Sequence, residues 1–335
     1  MGASSRSSLL RSRKAALVAL YLLTLWVVVT LVFLLPRALP GDPLSALQDP
    51  GSTSYVVDED MRARLLAYYG LDRPLSEQYV HYLEGIVTGD FGWSIRLNQP
   101  VIELIRERLP WTLLLAVPAL LLSSLMTLVA GTHSGWRRGS RSDRALIVSF
   151  TGLRAIPAFF LGVLAILVFS VRLNWLPLDG AYTPFQTWPT VFHQALDVGR
   201  HWLLPMLVLT VELIGARYLL MRNSMVGVVG ENYMLVARAK GLPESALKYR
   251  HGMRNAILPF LTAFSIQLGL VVTGAIVVET LFVYPGMGRL MFEAVSARDY
   301  PVLEAVFLLS AFAVLTANLV MDLMYGRLDP RVRGA

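Results

Sequence analysis

The chain alternates between long apolar runs and shorter segments that carry most of its charge. Six of the apolar runs reach about 20 residues, the length that an α-helix needs to cross the hydrocarbon core of a bilayer. Charged side chains are nearly absent from these runs. The pattern therefore predicts six membrane-spanning helices, over residues 15–35, 111–130, 145–171, 202–221, 257–278 and 302–321.

Composition supports the same interpretation. Of the 335 residues, 55% are hydrophobic and only 16% are charged, and the mean hydropathy is +0.55. A soluble domain of this length carries about a quarter charged residues. We therefore expect an all-α integral membrane protein, with the lipid bilayer as its surroundings, rather than a large soluble core.

Charge and cysteine content exclude several kinds of site. The net charge of +7 is not taken to indicate nucleic acid, because in a membrane protein the placement of Lys and Arg matters more than their total. The chain has no cysteine, which excludes disulfides, a thiol nucleophile and Cys-ligated metal sites.

The distribution of Lys and Arg predicts the orientation. The two termini and the segments after the second and fourth runs carry seventeen of these residues. The two short segments on the other side carry four, and the long segment 36–110 weighs little in this rule. Both termini are therefore predicted to be cytoplasmic. The first run is too long for a signal peptide and is expected to be retained as a helix.

The same pattern divides the chain into three parts. Residues 1–110 hold an N-terminal tail, the first helix and an extracytoplasmic loop domain over 36–110. Residues 111–325 form a core of five spans with a cytoplasmic segment at 231–256, and residues 326–335 form a cytoplasmic tail.

Within the loop domain, apolar residues at helical spacing predict short helices over 58–69 and 74–86, and a third over 100–110 that ends before Pro110. Such a domain either packs on itself as a small cap or receives a partner outside the membrane, and both can hold.

The segment between the fourth and fifth runs has clear helix signals. Residues 232–240 predict a helix that Gly241 ends. Pro243 suits the first position of a second helix, and Glu244 lies in its first turn, where the helix dipole favours an acid. Gly252 is expected to end this second helix after about nine residues.

Three apolar residues of the second helix, Leu242, Ala246 and Tyr249, recur at a spacing that places them on one face. A helix this short needs support from outside itself. It either packs on its own membrane domain or on anionic lipid, or it docks a cytoplasmic partner.

The segment resembles the EAA loop of ABC-importer permeases of the oligopeptide, dipeptide and nickel (DppB/OppB) type. The resemblance is carried by ARAKGL at 237–242, by His251 and by RNAILP at 254–259, and it extends over nearly the whole chain. Further matching stretches are LPGDP (39–43), YGLDRPLSEQYVHYL (69–83), GDFGWS (89–94), QPVIELIRERLPWTL (99–113), ETLFVYPGMGRLMFEAVSARDYPV (279–302) and NLVMDLMYGRLDPRVR (318–333).

This resemblance implies a type I ABC importer permease fold in which the segment is a coupling helix set in a groove of an ATPase subunit. It also implies a second permease of the DppC/OppC type, one or two P-loop ATPases that bind ATP and Mg, and an extracytoplasmic substrate-binding protein. The residues expected to dock the ATPase are Ala237, Ala239, Gly241, Leu242, Pro243, Glu244, Ala246 and Tyr249.

The chain carries no catalytic motif of its own. We find no G-x-x-x-x-G-K-[ST] phosphate loop, no H-E-x-x-H and no G-x-S-x-G. The five histidines lack metal-ligand spacing. The sequence therefore predicts a transport subunit without catalytic residues, a metal site or a bound cofactor.

A few polar residues lie inside the apolar runs and are candidates for a translocation pathway: Glu212, Gln267 and Asn318. Glu212 lies near the middle of the fourth run. It either forms a structural pair with Arg217, hydrogen bonds a neighbour in its protonated form, or lines the pore and meets a substrate amine.

The resemblance implies half of a peptide pathway in the bacterial cytoplasmic membrane. The same architecture importing a nickel chelate, glutathione or another small solute remains the first alternative. A self-contained channel or secondary transporter is a second, but the sequence shows one candidate coupling acid and no clear repeat. A membrane-embedded enzyme is disfavoured, since no convergent catalytic set is present.

Overall fold

The computed structural model describes residues 3–38, 59–68 and 70–328. The predicted loop domain and the C-terminal tail therefore lie partly outside the described residues. The described part is helical and contains no β-strand, although Trp93 and Pro100 form an isolated antiparallel bridge. The predicted all-α class is thereby confirmed for the part of the chain that the structure describes.

Twelve α-helices are present in the described residues. In chain order they are α1 (Ala3–Ala38), α2 (Glu59–Tyr68), α3 (Leu75–Thr88), α4 (Val101–Trp136), α5 (Arg141–Ala155), α6 (Ala158–Ala165), α7 (Val191–Val229), α8 (Asn232–Ala239), α9 (Arg254–Leu270), α10 (Ile276–Leu281), α11 (Met287–Ala297) and α12 (Tyr300–Leu328). Short π-helical turns over Ile166–Arg172 and Ala246–Met253 continue α6 and precede α9, and a 3₁₀ turn over Val271–Thr273 follows α9.

The chain divides into two compact units. The first comprises Met1–Pro110 and Met287–Ala335. In it α1 packs along α12, and the hydroxyls of Tyr21 and Thr316 lie 3.2 Å apart. Its core joins the start of α4 to α11 and α12, and the buried residues are Val101, Leu104, Ile105, Met287, Leu290, Ala294, Val302, Leu303, Ala305 and Val306.

The second unit is Trp111–Gly286, and its core lies between the rest of α4, α7 and α10. Glycines allow α4 to approach α7 closely. A Cβ atom on Gly131 would lie 2.8 Å from the Cβ of Met221, and one on Gly135 would lie 2.6 Å from the Cβ of Met225. Real Cβ atoms do not approach that closely, so the two helices pack here only because these residues have no side chain.

The helices of the loop domain follow the sequence in part. α2 and α3 confirm the first two predicted helices. The third prediction is wrong, because α4 does not end before Pro110 but continues to Trp136. A proline removes one backbone donor, and the remaining hydrogen bonds of a long apolar helix are enough to carry the chain past it.

By length and composition, four helices among the described residues can cross a membrane, within α1, α4, α7 and α12. The predicted third span is bent by 93° between α5 and α6. Ile156 has extended backbone angles there, as a residue before proline prefers. If this bent pair forms one span, the number is five. The predicted fifth span is also divided, since α9 ends at Leu270 and Gly274 has a φ of +77°. The count of six spans and the orientation stay predictions.

Candidate coupling segment and membrane cavity

The segment after α7 begins as the sequence predicts. α8 covers Asn232–Ala239, Lys240 caps it, and Gly241 has a φ of +70°. The Gly241 N–H donates to the carbonyl of Arg238 at 2.9 Å, which closes the last turn. The prediction that Gly241 ends this helix is confirmed, since a left-handed residue at this position is how many helices stop.

The second helix of the segment begins next to Pro243, close to the predicted position, but its end differs from the prediction. The Pro243 carbonyl accepts from the Leu247 N–H at 3.0 Å, and helical structure begins at the next residue, Glu244. It does not end at Gly252 but passes through a π-helical turn into α9. A Cβ on Gly252 would lie 2.6 Å from the Cε of Met225, so this glycine serves close packing and not termination. The segment is therefore continuous with a predicted span.

A small apolar cluster holds the segment against its own unit. Met234, Ala237 and Leu247 are buried together, and Leu242 packs against them. The residues of the predicted apolar face therefore have different surroundings. Leu242 packs against its own chain, whereas Tyr249 is 54% exposed.

Two polar contacts add to this attachment. The indole Nε1 of Trp136, the last residue of α4, donates to the Glu244 carboxylate at 2.7 Å. The Asn255 amide donates to the Tyr233 hydroxyl at 2.8 Å. Each of these bonds joins different helical elements, so α4, α8 and the start of α9 are connected at this end of the unit.

Five of the eight predicted docking residues are exposed: Ala239, Gly241, Pro243, Glu244 and Tyr249. Leu242 and Ala246 are half-buried, and Ala237 is 7% exposed, so Ala237 faces its own chain. Leu235 and Val236 on α8 are 57% and 55% exposed and were not predicted. Their position opposite Met234 and Ala237 on the helix was the available signal.

A buried ion pair lies in the same unit and was also missed from the sequence. Asp143 near the start of α5 is 1% exposed and pairs with Arg222 of α7. It also accepts from the Ser134 hydroxyl, which lies 2.6 Å from the Tyr218 hydroxyl. The network joins α4, α5 and α7, and its members are too far apart in sequence to be paired by pattern alone.

A cavity of about 220 Å³ lies within the second unit. Glu212 of α7 and Gln267 of α9 are the two lining residues with polar side chains. The structure thus brings together two of the three predicted pathway residues. The apolar lining comes from α4, α7, α9 and the chain up to α10: Ala116, Leu120, Leu209, Leu213, Leu270, Val271, Gly274, Ala275, Ile276, Val277 and Val278.

Asn318, the third predicted pathway residue, lies on α12 in the first unit and is half-buried. Its role stays a prediction. Within the described residues no group of three or more His, Asp or Glu side chains is placed to hold a metal ion.

Glu212 does not form the structural pair considered from the sequence. Arg217 is buried and donates from Nη1 to the hydroxyls of Ser123 and Ser124, at 3.2 and 3.3 Å. Five residues along an α-helix correspond to a rotation of about 140°, so Glu212 and Arg217 point to different sides of α7. The Glu212 side chain is exposed and lines the cavity.

Comparison with known proteins gives a consistent result over nearly the whole length. Residues 119–334 match the family described as binding-protein-dependent transport system inner membrane component, and residues 8–116 match its N-terminal companion family. The chain is 37% identical to the glutathione transport system permease protein GsiC of Escherichia coli (strain K12) over 311 residues, 92% of this chain and 95% of the relative. It is 38% identical to the oligopeptide transport system permease protein AppB of Bacillus subtilis (strain 168) over 306 residues, 90% and 93% of the two chains.

Proposed function

We propose that this chain, which belongs to the family of binding-protein-dependent transport system inner membrane components, forms half of a translocation pathway for peptides. Family membership makes it a multi-pass permease subunit of an ABC importer in the bacterial inner membrane, and not itself the ATPase. Importers of this family work with a second permease, ATPases and a substrate-binding protein. The finer assignments below are proposals.

The proposed partners are a second permease of the DppC/OppC type and one or two P-loop ATPases that hold ATP and Mg. The proposed contact with an ATPase is the exposed face of the coupling segment, defined here as Leu235, Val236, Ala239, Gly241, Pro243 and Tyr249. Ala237 is left out of this face because its side chain is buried, and Leu242 and Ala246 because they are half-buried. Glu244 is exposed but is left out because its carboxylate bonds Trp136.

The observation that supports this assignment is the attachment of the segment on its other side. Leu247 is buried in the apolar cluster, and Trp136 bonds Glu244. Because the second helix continues into α9, a displacement imposed on the exposed face moves α9, the first part of the predicted fifth span, with it. An exposed apolar face joined stiffly to membrane helices is what mechanical coupling requires.

A substitution on this face tests the assignment. In the assembled complex, Tyr249→Asp should lower both ATPase retention during purification and ATP-driven uptake, because it places a charge in an apolar contact. Tyr182→Asp is the matched control, since Tyr182 is 52% exposed and lies outside the segment. Wild-type retention and uptake in Tyr249→Asp would reject this docking face.

The similarity to an oligopeptide permease protein supports the peptide assignment. The similarity to a glutathione permease protein at almost the same identity keeps glutathione as a specific second candidate. Uptake of labelled tri-alanine and labelled glutathione by the complete complex, each with and without ATP, separates the two. Uptake of neither would exclude both solutes.

A further inference from the structure

The carboxylate of Glu212 is the ionisable group in the wall of the cavity. No described residue donates a hydrogen bond or forms an ion pair with it. Arg217, the nearest basic residue in sequence on α7, is engaged by Ser123 and Ser124 instead. An acid within a predicted span that has no partner among the described residues is expected to meet one that arrives from outside.

The surroundings of Glu212 strengthen its electrostatic interaction with a charged group that enters the cavity. Apart from Gln267, the lining side chains are aliphatic. Walls of low polarity screen a charge weakly, so its field reaches across a small cavity with little loss. Gln267 provides an amide carbonyl that accepts and an amide N–H₂ that donates, which suits a polar group bonded next to a cation.

We propose that Glu212, with Gln267 in the same wall, makes this cavity a binding site for a positively charged group, and that its occupant is the protonated amine of the transported solute. The identity of the occupant rests on the proposed function, whereas the preference for positive charge does not. The solute is then selected a second time inside the membrane, by charge.

The absence of cysteine from the chain allows a direct test. Val277 lines the cavity and is 46% exposed, so Val277→Cys introduces a single thiol there without removing either polar group. The probes are the trimethylammonium-ethyl and the sulfonato-ethyl methanethiosulfonates, applied to the complete complex. Mass spectrometry of this chain follows the rate of labelling. Val87→Cys on α3, 87% exposed, normalises the intrinsic rates of the two reagents.

The normalised preference for the cationic reagent should be roughly tenfold or more with Glu212 present, as focusing of charge in a cleft produces. Glu212→Gln should abolish the preference, and Glu212→Asp should retain it. An equal preference with and without the Glu212→Gln substitution, or no labelling of Val277→Cys by either reagent, would overturn the proposal.

Protection against labelling identifies the occupant. Tri-alanine should slow labelling by the cationic reagent in the presence of Glu212, whereas N-acetyl-tri-alanine should not. Equal protection by sodium chloride at the same ionic strength would overturn the amine as occupant. If the complex does not take up peptide but the thiol of Val277→Cys still prefers the cationic reagent, the result counts against the proposed function alone. If the complex takes up peptide normally but the thiol shows no such preference, the result counts against this inference alone.

Discussion

Arg222 forms a bidentate ion pair with Asp143, with Nε 2.7 Å from Oδ1 and Nη2 2.8 Å from Oδ2. The backbone N–H of Gly139 donates to the same carboxylate at 2.8 Å. This arrangement fixes α7 to the start of α5 and to the turn that follows α4. This turn follows Trp136, whose side chain bonds Glu244 of the coupling segment. The ion pair therefore lies close to the point where the coupling segment is attached to α4.

Removing one member of this pair should destabilise the protein strongly. Arg222→Met leaves the buried Asp143 carboxylate without its cation, a change that costs about 3–5 kcal/mol in buried pairs. Thermal unfolding of the purified complex should show the loss. The stability of Arg222→Lys should lie between those of the wild type and Arg222→Met, because an ammonium keeps the charge but cannot bond both carboxylate oxygens in the same geometry. Equal stability of all three proteins would contradict this account.

Because α4 and α7 approach closely at Gly135, an alanine there should change stability differently from an alanine at Gly152. Gly135→Ala places a Cβ 2.6 Å from the Cβ of Met225 and 2.7 Å from the Arg222 carbonyl, so it should destabilise by about 1–3 kcal/mol through overpacking. Gly152→Ala on α5 meets no atom within 4 Å and should be neutral or slightly stabilising. Melting temperatures of the two variants compare them directly, and an order opposite to this one would refute the packing argument.

Gly241 has a left-handed backbone conformation. The effect of a substitution at Gly241 on transport should therefore depend on whether the new residue tolerates this conformation, more than on its size. Gly241→Asn should keep transport, since asparagine tolerates a φ near +70°. Gly241→Pro should abolish transport, because proline is confined to negative φ and lacks the N–H that bonds Arg238. Uptake and ATP hydrolysis measured in one preparation provide the readout. Continued hydrolysis without uptake is the expected result for Gly241→Pro, and wild-type uptake would exclude a role for this turn.

The bond between Trp136 and Glu244 should contribute to coupling as a pair. Trp136→Phe keeps an aromatic ring but removes the indole N–H donor, and Glu244→Leu removes the acceptor. Each should lower ATP-driven uptake severalfold without preventing assembly. The double variant should be no worse than either single one, because both remove the same contact. Additive losses would show that the two residues act separately.

Some features of the candidate site were open to prediction because they depend on local chemistry. The left-handed cap at Gly241 and the start of the second helix after Pro243 follow from glycine's freedom at positive φ and proline's missing donor. Gly252 carries the same local signal as Gly241 and was predicted to end a helix. It packs against Met225 instead, and no local rule distinguishes the two uses.

The sequence by itself determined the helical class, the apolar runs, the family resemblance and the polar residues worth testing, since each depends on composition or on spacing along one helix. Only the tertiary structure decided which of these residues meet. It joined the coupling segment to α9, and it placed Glu212 and Gln267 in one cavity while Arg217 turned to α4. The physical reason is that packing between helices depends on residues far apart in the chain, whose meeting no local pattern encodes.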